Sequence, residues 1–138
     1  MREIKFRGKR ADNGNWIHGS FRMRLNECFI IPLPIVTSQS KVIPETVGQF
    51  TGLYDKNGMR IFEGDIVLFD YVGRNRGVHG KAAVDFINGK FGVHWGWHKE
   101  FVPLDGFANT TLEVIGNIHD NPELLQNITP QSQNNVIE

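Results

Sequence analysis

The sequence predicts a mainly β protein, a small barrel, roll or sandwich assembled from hairpins, with a short C-terminal helix. Three Asn-Gly dipeptides, beginning at Asn13, Asn57 and Asn88, each lie between runs rich in Phe, Ile, Val or Trp. Asparagine and glycine both tolerate the positive φ angles that tight hairpin turns require. Three hairpins in one short chain, without an alternation of strands and helices, favour an all-β architecture over an α/β one.

The first hairpin is expected to turn at Asn13-Gly14. With these two residues as the loop, Phe6 faces Phe21 and Ile4 faces Met23 on the core side. The opposite side then collects Lys5, Arg7, Lys9, Trp16, His18, Ser20 and Arg22. A longer loop would change this pairing, and a slip of one residue would turn one strand over.

The middle block, Gly48 to Asp70, is expected to contain two turns between strands. The segment Tyr54 to Gly58 ends in Asn-Gly and separates TVGQFTGL from MRIFEGDIVLFDY. Glu63-Gly64-Asp65 interrupts the second run, which predicts a bend, a bulge or a second turn. Residues 71–81, YVGRNRGVHGK, are rich in glycine and basic side chains and predict an exposed loop.

The third hairpin is expected to turn at Asn88-Gly89. This register places Phe86 opposite Phe91 on a side that also carries two further pairs, Val84 with Val93 and Ala82 with Trp95. The other side carries both polar and apolar residues, as expected for a sheet with only one buried face.

The remaining segments are less regular. Residues 23–45 contain Pro32, Pro34 and Pro44, so we expect an irregular insertion or short edge strands there. Near the C-terminus LEVIGNI predicts a strand, and the sequence DNPE at residues 120–123 predicts the start of a short helix over ELLQN. The polar segment 127–138 is expected to be a disordered tail, which leaves residues 1–126 as a single domain.

Composition restricts the class of protein. Hydrophobic residues make up 40% and charged residues 22% of the chain, as in an ordinary globular domain. Lys+Arg and Asp+Glu are equal at 15 each, so net charge gives no reason to expect general nucleic-acid binding. Cys28 lies in an apolar run and is expected to be a buried thiol. A lone cysteine, with no signal-peptide pattern or membrane-length apolar run, predicts a protein of a reducing cytoplasm that does not contact the membrane.

Several segments resemble the YopX family of bacteriophage and prophage proteins. They are VIPETVGQFTGLYDKNGMRIFEGDIV, EVIGNIHDNPELL and the opening REIKFRGKR. The order and spacing of TGL-x-D-x-NG, EGDIV and IGNI-x-x-NPELL carry the resemblance. It implies a phage-encoded, mainly β protein with an SH3-type barrel, and it brings no catalytic residues to transfer.

Basic residues form the first candidate binding site. The predicted first hairpin places Lys5, Arg7, Lys9, His18 and Arg22 on one face, where they could contact phosphates. Trp16 falls on the same face and could stack on a base. The 71–81 segment adds Arg74, Arg76 and Lys81. An ordinary solvated face, with long side chains covering apolar surface, would show the same pattern.

Histidines and carboxylates are the other candidates. His94 and His98 flank Trp-Gly-Trp, but on a strand they would be about 13 Å apart, too far for one metal ion. Glu63 and Asp65 suit a turn as well as they suit acid–base chemistry. No nucleophile motif or phosphate-binding loop accompanies these residues, so we expect no catalytic residue, metal or cofactor.

The sequence therefore favours a non-catalytic accessory protein that binds a host or phage macromolecule, either protein or nucleic acid. Two alternatives remain. One is a single-stranded nucleic-acid binder that uses the basic strand face, and the other is a small metal-assisted hydrolase built on Asp65, Asp85, His79 or His94. Exposed sheet edges could also support a homo-oligomer.

Overall fold

Antiparallel strands dominate the chain, and they are distributed over two compact units. The computed structural model describes residues 2–32, 38–72, 77–95, 99–107 and 111–126. The first unit comprises residues 1–52 and the second residues 53–138. Each unit has its own hydrophobic cluster. The prediction of a single domain over residues 1–126 stays a prediction, and the segment 127–138 lies outside the described residues.

The first unit is a curled antiparallel sheet with the strand order β4-β3-β2-β1-β5. Its elements are β1 (Phe6–Lys9), β2 (Trp16–Arg24), β3 (Glu27–Ile31), β4 (Ser40–Val42), the 3-10 helix η1 (Pro44–Thr46) and β5 (Gly48–Tyr54). The described part of the segment 23–45 therefore contributes regular strands. Strand β3 lies inside the sheet, and β4 is a short strand at its edge, as one of the two predictions for this segment stated. The end of β5 runs into the second unit.

The first hairpin forms with a register two residues away from the predicted one. Phe6 pairs with Gly19, and the last pair before the loop is Lys9 with Trp16, so the loop spans residues 10–15. A slip of two residues keeps every side chain on its predicted side. Phe6 and Phe21 still meet, as diagonal neighbours, with ring centroids 5.4 Å apart. Ile4 and Met23 do not enter the core, because both are more than half exposed.

Curling brings β4 back to the end of β1. Arg10 forms an isolated bridge with Val42, supported by hydrogen bonds from the Ala11 amide to the Lys41 carbonyl (2.9 Å) and from the Ile43 amide to the Lys9 carbonyl (2.8 Å). One bridge is not a continuous ladder, which a barrel needs for closure. The predicted mainly β fold with a short C-terminal helix is confirmed, and among the described residues the three antiparallel sheets do not close into a barrel.

The first core lies inside this curl. Cys28, Ile30 and Val42 are its buried members, with partly buried apolar side chains packed around them. Thr46 is buried there too, and its hydroxyl accepts from the Lys9 amide (2.9 Å) and donates to the Ile43 carbonyl (2.6 Å). Cys28 is a free, buried thiol, as expected from its apolar setting.

The second unit holds the remaining strands and the short helix. Its elements are β6 (Arg60–Phe62), β7 (Asp65–Val72), β8 (Gly77–Ala83), β9 (Asp85–Ile87), β10 (Lys90–Trp95), β11 (Glu100–Pro103), the 3-10 helix η2 (Leu104–Gly106), β12 (Glu113–Asn117) and α1 (Glu123–Gln126). Strand β6 extends the sheet from β5, and two three-stranded sheets have the orders β12-β7-β8 and β11-β10-β9.

Turn chemistry in the second unit follows the sequence closely. Asn88 and Gly89 have φ values of 53° and 79° and form the predicted two-residue loop, with Phe86 opposite Phe91. Gly64, with φ of 92°, makes the turn between β6 and β7. The predicted pairs of Val84 with Val93 and Ala82 with Trp95 do not form, because Ala82 pairs with Val67 in the neighbouring sheet.

The glycine-rich segment 71–81 differs most from expectation. Its described ends are strands, since β7 continues to Val72 and β8 starts at Gly77, and these ends pair with each other, whereas residues 73–76 lie outside the described residues. A Cβ on Gly80 would lie 2.7 Å from the Phe69 ring and 2.8 Å from the Trp95 ring. Those rings pack edge-on with centroids 5.2 Å apart in the second core. At this position glycine permits close aromatic packing rather than a turn.

The C-terminal strand and helix form where the sequence predicts them. Strand β12 pairs with β7 across an irregularity between Val114 and Gly116. Helix α1 is a single turn. The side chain of Asn121 does not cap it but accepts from the amide of Asn117 (3.2 Å). Within the described residues, no helix is long and apolar enough to cross a bilayer.

Candidate anion-binding face

One side of the first unit's sheet collects basic and aromatic side chains. Pairing sets Arg7 opposite His18 and Lys9 opposite Trp16, and alternation along β2 carries the same side on to Arg22. In the adjacent strands this side holds Phe29, opposite Arg22, and Lys41, opposite Phe29. We call this side the basic face; its members are Arg7, Lys9, Trp16, His18, Arg22, Arg24, Glu27, Phe29 and Lys41.

The basic face lies opposite the core side of the same strands. The core residues Cys28, Ile30 and Val42 alternate with Glu27, Phe29 and Lys41. The sequence expectation that Arg7, Lys9, Trp16, His18 and Arg22 share one side therefore agrees with the register. Whether this side binds anything stays a prediction.

A tryptophan organises the first part of the basic face. The guanidinium carbon of Arg7 lies 4.7 Å from the Trp16 ring centroid, and the Lys9 Nζ lies 5.5 Å from it. Both distances are those of cation–π contacts. Arg7 is only 8% exposed, and Trp16 is half-buried. Trp16 thus holds two cations side by side, and a stacking base would compete with them for the ring.

The second part of the basic face is more exposed. Arg22 and Arg24 have exposed side chains, and Arg22 donates to the uncharged Gln39 Oε1 (3.0 Å). Lys41 pairs with Glu27, Nζ to Oε2 2.7 Å, in a half-exposed ion pair. Glu27 is the one acidic residue among the described members of this face, so the surplus is basic.

Two other cations of the first unit lie close to acidic side chains that are near them in sequence. Arg10 forms a bidentate pair with Asp12 in the first hairpin loop, at 2.9 and 3.1 Å. The hydrogen bond from Arg10 lowers the pKa of Asp12, so both groups stay charged and offset each other. The Lys5 Nζ lies 3.9 Å from Glu3 Oε2. Lys5 also precedes β1, so it lies at the margin of the candidate site.

Of the three cations predicted in the 71–81 segment, Lys81 alone is among the described residues. Lys81 lies on β8 of the second unit, half-buried and opposite Leu68. Arg74 and Arg76 lie outside the described residues. The structure therefore brings together the residues of the predicted site that lie in the first hairpin, and the part predicted on residues 74–81 stays a prediction.

Charge is divided between the two units, although the whole chain is neutral. Residues 1–52 carry eight Lys and Arg against four Asp and Glu, a net charge of +4. Residues 53–138 carry seven against eleven, a net charge of −4. The basic face thus belongs to a positively charged unit, a fact that the total charge hides.

The described side chains that were considered for hydrolysis make local hydrogen bonds and ring contacts. Asp65 is buried and accepts from the Phe62 amide (2.7 Å), and Asp85 accepts from the Phe86 amide (2.8 Å). His94 lies edge-on to Phe101, with its Nδ1 3.0 Å from the Lys99 carbonyl oxygen. The side chain of His79 and all of His98 lie outside what is described. Among the described residues, no group of three His, Cys, Asp or Glu side chains could hold a metal ion.

Four members of the basic face were not identified from the sequence: Arg24, Glu27, Phe29 and Lys41. They join it through the β2–β3 hairpin, whose two-residue loop, Leu25-Asn26, contains no glycine. Leu25 instead adopts a positive φ of 55°, which non-glycine residues seldom do. The sequence ECFII could have indicated the position of Phe29. Because side chains alternate along a strand, Phe29 lies on the opposite side from Cys28 and Ile30.

Comparisons with known proteins identify a family and a fold. The family model described as YopX protein matches residues 5–126. A solved structure, the crystal structure of protein EF1440 from Enterococcus faecalis, is similar at a TM-score of 0.56 and 24% identity. The alignment covers 91% of this chain and 99% of that one, and at this identity it shows the fold alone. No curated protein matches the chain.

Proposed function

This chain belongs to the YopX family, and from that premise we propose that it is a non-catalytic accessory protein of a phage or prophage. In this proposal the first unit binds an anionic macromolecule of the host or the phage through the basic face. The protein acts in the cytoplasm of the bacterial host cell. The family match supports the phage context, and the arrangement of charge supports the binding role.

The observation that carries the proposal is the concentration of cations on one side of one sheet. Arg7 and Lys9 are held against Trp16, and Arg22 and Arg24 extend the same side along β2. A basic patch on a positively charged unit attracts polyanions and raises their association rate. The candidate carboxylates, by contrast, serve backbone amides, which favours binding over hydrolysis.

The test reverses exposed cations rather than the buried Arg7. The variant Arg22→Glu with Arg24→Glu removes two positive charges from the basic face and adds two negative ones. We expect its affinity for heparin, used as a polyanion of no particular sequence, to fall about tenfold or more at low salt. Fluorescence anisotropy with labelled heparin measures the change.

The matched control makes the same charge change in the second unit. Lys90→Glu with Lys99→Glu also reverses two exposed cations, and it gives the same net charge as the test variant. We expect its heparin affinity to stay within about twofold of the wild type. Equal losses in both variants would show that net charge, and not the basic face, governs binding, and unchanged binding in both would reject the proposal.

A further inference from the structure

We propose that the anionic partner is single-stranded nucleic acid, bound across the β2–β3–β4 part of the basic face with Phe29 as a stacking platform. This inference rests on the proposed function and narrows it to one class of ligand. It draws on three observations: a cation–aromatic–cation row across three strands, a second such group at the other end of β2, and the width of the sheet.

The row consists of Arg22, Phe29 and Lys41. Phe29 pairs with Arg22 on one side and with Lys41 on the other, and all three point away from the core. Neighbouring strands are about 4.8 Å apart, so the ring has a cation on each flank. Proteins that bind single strands combine these two features, an aromatic face for the base and cations for the backbone phosphates.

The second group lies further back along β2. Trp16 and Arg22 are six residues apart on the same strand and the same side, at most about 20 Å along it. That distance accommodates several nucleotides of an extended single strand. Lys9 and the Arg7–Trp16 pair supply charge at one end, and the Arg22–Phe29–Lys41 row supplies charge and a ring at the other.

Sheet width distinguishes a single strand from a duplex. The major groove is about 12 Å wide and admits a helix or a two-stranded ribbon. The described part of the first unit contains no α-helix, and its cations lie on a curled sheet of five strands. A face carried by more strands than a two-stranded ribbon does not fit into a groove, whereas exposed bases of a single strand can contact it.

The experiment compares labelled ligands of equal length. Anisotropy titrations use a 20-nucleotide single-stranded DNA, the same sequence as RNA, the corresponding duplex, heparin and poly-L-glutamate. We expect both single strands to bind more tightly than the duplex and poly-L-glutamate. If Lys9, Arg22, Arg24 and Lys41 each contact one phosphate, single-strand affinity falls about fiftyfold between 50 and 200 mM salt.

The decisive variant is Phe29→Leu, which keeps apolar bulk and removes the ring. We expect it to weaken single-strand binding about fivefold or more while heparin binding stays unchanged. Phe29→Tyr should restore the affinity, which keeps the test valid if the leucine variant folds poorly. Phe86→Leu, at an exposed phenylalanine of the second unit, is the control.

The outcomes separate the inference from the proposed function. Heparin binding that depends on Arg22 and Arg24, combined with no single-strand preference and no effect of Phe29→Leu, would overturn the inference and leave the proposed function standing. Preferential binding of poly-L-glutamate would point to an acidic protein partner and also overturn it. Failure to bind any polyanion would overturn both.

Discussion

At the scale of single residues, Asp55 connects distant parts of the second unit. Its Oδ1 accepts from the amides of Asn57 (2.8 Å) and Met59 (2.9 Å), which closes the turn after β5. Its Oδ2 accepts from the Val114 amide (2.9 Å), 59 residues away. The side chain is 5% exposed. One carboxylate thus joins a local turn to strand β12, and the segment that carries the family resemblance has a structural role here.

The environment of Asp55 opposes and favours its charge at once. Burial by itself would raise the pKa of Asp55. Hydrogen bonds from the amides of Val114, Met59 and Asn57, together with the charge of Lys56, lower it by a larger amount, so the net pKa lies below its usual value. Because the folded pKa is lower than the unfolded value of about 3.9, Asp55 stabilises the fold above that pH. The contribution is lost as the pH falls through the folded pKa.

We predict that Asp55→Asn lowers the free energy of unfolding by about 2 kcal/mol at pH 7. The amide oxygen of asparagine can keep the two turn bonds, but its NH₂ group then faces the Val114 amide, donor against donor. Urea denaturation at pH 7 and pH 3 measures the change, and the gap to the wild type should narrow at pH 3. Asp105→Asn, at an exposed carboxylate, serves as control. A gap of equal size at both pH values would contradict the pKa argument.

At the scale of elements, β2 determines the shape of the first unit. Residues 16–19 pair with β1, and residues 20–24 pair with β3. The strand changes partner at Gly19, where a Cβ would lie 2.0 Å from the Ile31 carbonyl oxygen and 2.9 Å from the Pro32 Cα. All these atoms are backbone, so no side-chain rotation can relieve the clash. Glycine is required where the sheet curls.

We predict that Gly19→Ala destabilises the protein by about 3 kcal/mol or more, because a Cβ in this position forces the backbone of β3 to move. Thermal or urea denaturation followed by circular dichroism measures the loss. The matched control is Gly106→Ala, where a Cβ would meet only Val102 Cγ1, at 3.6 Å. We expect the control to change stability by less than about 0.5 kcal/mol. Equal effects at the two positions would argue against a special role for Gly19.

At the scale of the whole molecule, two units of opposite charge make up a neutral chain. The net charges of +4 and −4 cancel, so repulsion between copies of the protein is weak at neutral pH. The positive unit of one copy and the negative unit of another attract each other. The range of that attraction is about 30 Å at 0.01 M ionic strength and about 3 Å at 1 M.

We predict salt-sensitive self-association at pH 7. The weight-average mass measured by light scattering should exceed that of the monomer at 0.01 M salt and should approach it at 1 M. Association through apolar surface, such as the exposed Met23 and Leu25 at the β2–β3 hairpin, would have the opposite salt dependence, because salting-out strengthens apolar contacts. A mass that rises with salt would therefore replace the electrostatic explanation with an apolar one.

The parts of the fold that depend on neighbouring residues were predictable. Asn88-Gly89 requires positive φ at both positions and forms its hairpin in the predicted register. Glu63-Gly64-Asp65 turns as expected, and the helix at residues 123–126 begins where the DNPE signal places it. The family resemblance is confirmed by a match over residues 5–126. Each of these features follows from local backbone preferences that the residue types themselves carry.

The candidate site was only partly predictable. The alternation of side chains along each strand predicted that one side would carry Arg7, Lys9, Trp16, His18 and Arg22. The predicted register was wrong by two residues, but a shift of two leaves every side chain on the same side of the sheet. It could not show that Arg7 is buried against Trp16. Nor could it place Phe29 between Arg22 and Lys41, because the two pairings of β3 are contacts between separate strands.

The sequence by itself determined the mainly β class, the family, most of the turns and the set of charges available to bind a partner. Only the tertiary structure decided that the glycines at 77 and 80 belong to a strand, that the described sheets do not close into a barrel, that charge divides between two units, and that Phe29 and Lys41 join the basic face. Turns depend on φ preferences within a few residues, whereas strand pairing and shared faces depend on packing between residues far apart in the chain.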